Sequence, residues 1–162
     1  MKRQAIAVIV AGCGALAYTV SKVDLALRGE LGLPGFPAPA ASYEIYEPVS
    51  GQLSNAAVGL AMVLVVAALL RPPAKRWLRR GLLAANWLGA VAIAIMVVSF
   101  TCRATGLTPA IGEPAIGPST WIALAVGAVW TAAWIGATAG ARPQTSHRQK
   151  KDSESKSPFA TA

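Results

Sequence analysis

Two sets of residues in this sequence have the types and spacing to hold an ion or a polar headgroup: Arg28 with Glu47, and Arg103 with Glu113. Each arginine is followed by Gly-Leu and a proline, and each glutamate opens a Glu-Pro-x-x-Gly stretch, EPVSG at 47–51 and EPAIG at 113–117. A guanidinium offers a planar fork of N–H donors that matches carboxylate and phosphate, and a nearby carboxylate is its natural partner. The four residues therefore read as a candidate outer-face ligand site or ion-pair cluster. A simpler account uses the same residues: Pro48 or Pro114 begins the approach to a helix, and the glutamate before it suits a helix N-terminus. Gly51 or Gly117 then gives the turn, with Ser54 or Ser119 as cap, and Arg28 and Arg103 complement the dipole at the ends of the preceding helices.

Few other side chains offer chemistry. Asn55 and Asn86 are the strongly polar groups within the apolar blocks, and Asn86 reads first as an interhelical hydrogen-bonding group. If Asn55, Asn86, Thr131 and Tyr18 lined one wet cavity, a transport path would follow. The single histidine, His147, lies in the C-terminal tail, which leaves no haem or metal ligand set in the blocks, and no cofactor is expected. Cys13 and Cys102 fall at different depths with no Cys-x-x-Cys, against a redox pair. No nucleophile and base pair is recognisable, so catalysis is not expected.

The elements that position these residues follow from composition. The chain has 162 residues, 54% hydrophobic and 14% charged, with a mean hydropathy of +0.49, too apolar for an ordinary soluble domain. Its apolar residues fall in four blocks, 5–20, 53–70, 81–100 and 119–139, none containing Asp, Glu, Lys or Arg. Each approaches the roughly 20 helical residues that cross a bilayer. Membrane strands would be shorter and would alternate, so an all-α, four-helix transmembrane bundle is predicted, with spans near 4–28, 52–71, 80–101 and 118–140. Residues 1–140 form the membrane domain, 29–51 a Pro/Gly-rich outer loop, and 141–162 a disordered basic tail.

Charge sets the orientation. One side of the predicted spans carries twelve Lys and Arg against two acidic residues, and the other three against five. Basic residues mark the cytoplasmic side, so both termini are expected inside a bacterial cytoplasmic membrane. The pI near 10.1 is then topological, and no nucleic-acid module accompanies it. The first span has competing readings: Ala15-Leu16-Ala17 resembles a signal-peptidase site, and Val10-Ala11-Gly12-Cys13 a lipoprotein box. A retained helix would continue past Val20, since Asp24 and Arg28 form an i,i+4 pair, and Lys22 would snorkel to the outer headgroups. Gly136 and Gly140 form a G-x-x-x-G that reads as bundle packing, with a homodimer face as the alternative. Trp77 and Trp121 fall where interface belts lie, while Trp87, Trp130 and Trp134 are ambiguous between lipid and core.

Because both outer connections share their order of residues, the chain also reads as two hairpins related as a parallel repeat. The stretch SKVDLALRGELGLPGFP, with CRATG at the end of the third span, resembles a family of small four-span bacterial membrane proteins, common in actinobacteria, whose activity is unknown. Ala26-Leu27 and Arg103 to Gly106 carry the likeness, while Asp24 and Arg28 replace an aromatic residue and a glycine. The resemblance implies the four-helix plan and no activity. The expected role is a non-enzymatic accessory or interaction subunit, with membrane lipids, a second copy or a larger membrane protein as partner. The alternative is a small oligomeric transporter or channel with an outward-facing site for a lipid or other amphipathic ligand.

Overall fold

The computed structural model of the chain describes residues 2–108, 114–115 and 117–141. Its elements are α1 (Lys2–Arg28), β1 (Gly32–Leu33), β2 (Phe36–Pro37), α2 (Ser42–Ile45), α3 (Pro48–Ala67) with a 3-10 turn Ala68–Leu70, α4 (Arg76–Ala104) and α5 (Pro118–Gly140). The architecture is an all-α four-helix bundle with one two-stranded hairpin above it. The shorter long helices, at 23 residues, rise about 35 Å, more than a hydrocarbon core of about 30 Å. All four are long and apolar enough to cross a membrane, and leucines, isoleucines and valines such as Ile9, Leu64, Ile95 and Val129 point outward along them. The chain is built as a multi-pass membrane protein.

Local chemistry sets the helix ends. α3 starts at Pro48 because the Glu47 carboxylate accepts from the backbone N–H groups of Val49 and Ser50, with proline at the first helical position. α1 and α4 finish alike. Gly29 (φ 65°) and Gly106 (φ 73°) take the left-handed conformation. Glu30 N then bonds Leu25 O, and Leu107 N bonds Cys102 O, both at 2.9 Å, closing a Schellman-type cap. The link between α3 and α4 runs only over 71–75, so these helices are antiparallel neighbours in sequence.

In space the helices stand in the order α3, α1, α5, α4, with α3 and α4 touching only sparsely. The first hairpin packs more tightly than the second, and α1 also packs on α5. The core lies toward the end that carries Lys2, the 71–75 link and Gly140, here the terminal end. It is made by Val8, Ala11 and Ala15 of α1, Val66 and Leu69, Ala90 and Ile93 of α4, and Trp130, Trp134 and Ala137 of α5. Trp130 and Trp134 stack at 5.9 Å between centroids, and each needs a glycine opposite. A Cβ on Gly14 would overlap the Trp130 indole, and one on Gly89 would approach Trp134 to 2.6 Å. These two indoles are therefore core, while Trp77 and Trp121 stay exposed near helix ends. Gly136 and Gly140 face Ala7 and Gln4 of α1, so the G-x-x-x-G packs within the bundle.

Candidate ligand site beneath the hairpin cap

At the opposite end, here the cap end, the loop after α1 folds back over the helix ends. β1 and β2 pair antiparallel, Gly32 opposite Pro37 and Leu33 opposite Phe36. Pro34-Gly35 makes the turn, with Gly35 at φ 79°, the proline-then-glycine pattern of a type II turn. Gly35 also lies against the start of α5, where an added Cβ would come within 2.8 Å of the Ser119 backbone.

So short a hairpin cannot satisfy its own carbonyls, and all four membrane helices supply a donor. Lys22 of α1 donates through Nζ to Gly32 O at 2.6 Å. Gln52 of α3 donates through Nε2 to Glu30 O at 3.0 Å and Gly32 O at 3.3 Å. Arg103 of α4 donates through Nη2 to Pro37 O at 2.9 Å, and Thr120 of α5 through Oγ1 to Gly35 O at 2.9 Å. These four donors are buried, Gln52 at 1% exposure and Lys22 at 5%. Phe36 anchors the second strand, its ring 4.7 Å from that of Phe100 and beneath the Arg103 guanidinium.

Two adjoining cavities lie under this cap. One, of about 380 Å³, has polar lining from Tyr18, Lys22, Gln52 and Asn55 and apolar lining that includes Met96 and Phe100. The other, of about 390 Å³, runs between α1, α4 and α5 from Phe36 and Ser119 down to Trp130 and is almost wholly apolar. Tyr18, Leu33, Met96 and Phe100 belong to both walls. Two buried polar atoms on these walls have no hydrogen-bond partner among the described residues, Gln52 Oε1 and Trp130 Nε1.

Of the four residues singled out as an outer cluster, the three that are described take separate roles. Arg28 pairs with Asp24 at 3.1 Å, and both side chains are more than half exposed. Glu47 is spent as the N-cap of α3, at 2.6 Å from Ser50 N and 3.1 Å from Val49 N. The Ser50 and Val49 donors hold its carboxyl below the usual range. Arg103 is buried at 6% and turned into the cap. Glu113 lies outside the described residues. Arg28 and Arg103 diverge for a reason written in their spacing: the first immediately precedes its capping glycine and the second stands three residues before it. Two residues of offset turn a side chain about 200° around a helix.

The two EPxxG stretches diverge as well. Glu47 caps a helix, and Gly51 lies inside α3. In the second copy the N-cap is Gly117, without a side-chain cap from Ser119, and the helix starts at Pro118. Ser54 likewise plays no capping part, because α3 begins six residues ahead of it.

Asn55 is exposed on the cavity wall. Asn86 lies elsewhere, fully buried, donating to Val65 O at 3.1 Å and Leu82 O at 2.9 Å and accepting from Trp134 Nε1. Thr131 bonds back to Gly127 O of its own helix, so the polar residues are dispersed. Lys22 does not snorkel outward: the hairpin carbonyl lies within its reach, and the ammonium turns inward to it. Gln52 and Thr120 carried no special signal in the sequence. Gln52 shares a helix face with Asn55 and Gly59 at i, i+3 and i+7, which is the pattern that could have drawn attention to it. Compared with family models, curated proteins and solved structures, the chain matches none.

Proposed function

We propose that the protein is a small, non-enzymatic accessory subunit of a bacterial cytoplasmic membrane, with both termini in the cytoplasm, whose outer half holds an amphipathic molecule. The observation that carries this reading is the cap: four helices each commit a buried donor to one short hairpin, and beneath it a cavity with one polar wall adjoins an apolar one. A polar end beside an apolar cleft is the lining that amphipathic ligands require. The orientation rests on the basic residues at the terminal end, among them Lys2, Arg3, Arg71, Lys75 and Arg76. The likeness to four-span actinobacterial proteins, on Ala26-Leu27 and Arg103 to Gly106, belongs to the same reading.

A transport path is the weaker alternative. It would need Tyr18, Asn55, Asn86 and Thr131 along one route, and of these only Tyr18 and Asn55 share a cavity wall. Native mass spectrometry of the full chain, purified from bacterial membranes in mild detergent, tests the main reading. The expected spectrum contains chain plus one small amphiphile, and also reports N-terminal processing, Cys13 acylation and any second copy. A spectrum of bare chain alone, under conditions that preserve the fold, would rule the reading out.

A further inference from the structure

Lys22 is a buried ammonium with no buried anion beside it among the described residues. Its one hydrogen bond goes to Gly32 O, and the Tyr18 ring centroid lies 5.4 Å from Nζ. An ammonium has three N–H donors, so two are left over. Among the described residues the one ion pair within bonding distance is Arg28 with Asp24, and the cavity that Lys22 lines has no Asp or Glu in its wall. A charge removed from water needs a paired counter-charge, and here the position for that counter-charge is a cavity.

The adjoining apolar cavity has the length of a lipid chain. Ser119 and Trp130 mark its extent on α5, and eleven residues of helix rise about 16 Å, against about 15 Å for half a hydrocarbon core. Gln52, on the same polar wall, leaves a buried Oε1 with no donor among the described residues, and a headgroup carrying a hydroxyl would supply one. We propose that the joined cavities bind one anionic, hydroxylated phospholipid from the cap-side leaflet, with its phosphate paired to Lys22 and one acyl chain laid between α1, α4 and α5. The assignment rests on the amphiphile-site reading above and adds the charge and class of the ligand.

Native mass spectrometry of the full chain in detergent doped with equal phosphatidylglycerol and phosphatidylcholine tests it, with parallel additions of oleate and inorganic phosphate. The expected result is one phosphatidylglycerol per chain, favoured at least tenfold over phosphatidylcholine. Neither oleate nor phosphate at equal concentration should displace it. Lys22→Gln, which keeps an N–H donor for Gly32, should bring the preference close to one. Ala17→Phe, which fills the apolar cavity away from the cap, should lower retention of both lipids at least tenfold with helicity unchanged. Equal retention of the two lipids by the native chain, or an undiminished preference in Lys22→Gln, overturns the anionic headgroup while leaving an amphiphile site standing. Displacement by oleate or by phosphate overturns the phospholipid, and retention unchanged by Ala17→Phe overturns the chain's placement. Absence of any bound lipid or oleate defeats both readings.

Discussion

Trp134 donates its indole Nε1–H to Asn86 Oδ1 at 3.0 Å, tying α5 to α4 where both residues are buried. The same amide donates to Val65 O on α3, so one asparagine joins three helices where no water competes. Asn86→Leu removes the acceptor and strands the indole N–H. The expected loss is about 1–3 kcal/mol, read from reversible SDS unfolding in bicelles followed by circular dichroism. A loss no larger than that of an exposed substitution such as Leu88→Ala would show that the network is replaceable.

The two outer arginines should behave unlike each other. Arg28 makes an exposed i,i+4 pair, and Arg28→Ala should change stability by no more than about 0.5 kcal/mol. Arg103 is buried and holds Pro37 O and the Phe36 ring. Arg103→Ala should cost about 1–3 kcal/mol through stranded groups. Unfolding both variants under identical conditions distinguishes this from a symmetric ring of charges, in which the losses would match.

Glu47 gives the cap of α3 a pH dependence. Its folded pKa lies below the ordinary value because the Ser50 and Val49 backbone N–H groups bond the charged form. A depressed acid contributes stability that is full above the unfolded pKa and lost as pH falls through the folded one. Amide exchange at Val49 and Ser50, corrected for intrinsic rates, should thus speed up on acidification below the carboxylate range. In Glu47→Gln that pH dependence should vanish.

The cap depends on Gly35. Its φ of 79° and its contact with the Ser119 backbone leave no room for a side chain. Gly35→Val should lift the turn from Thr120 and raise cleavage of the 29–47 segment by a soluble protease at least severalfold. Thr120→Val, which removes one hydrogen bond to Gly35 O, should give a smaller increase. Equal resistance in both variants would mean that the loop does not depend on this contact.

Orientation can be read from thiol labelling. With Cys13 and Cys102 replaced by alanine, Ile45→Cys on the exposed rim of the cap should react with an impermeant maleimide in intact cells. Ala74→Cys, in the 71–75 link, should react only after lysis. The reverse pattern would invert the topology.

What the sequence determined by itself was the arrangement along the chain. Four uncharged apolar blocks can meet the backbone's hydrogen-bond demand in lipid only as helices, and Pro48 behind Glu47 made the start of α3 legible. The candidate site was legible only in part. Tyr18 and Asn55 were noticed as polar groups, but Gln52 and Thr120 were not, and Lys22 was expected in the headgroups. Their roles depend on where the carbonyls of Glu30, Gly32 and Gly35 arrive once the hairpin has folded, and no local pattern encodes that. The paired motifs Arg28/Glu47 and Arg103/Glu113 suggested equivalence, yet a two-residue offset from the capping glycine sent one arginine outward and the other into the bundle. Which donors meet the cap, and which polar wall adjoins the apolar cleft, was decided by packing, because a helix face acquires its partner only when the other helices are in place.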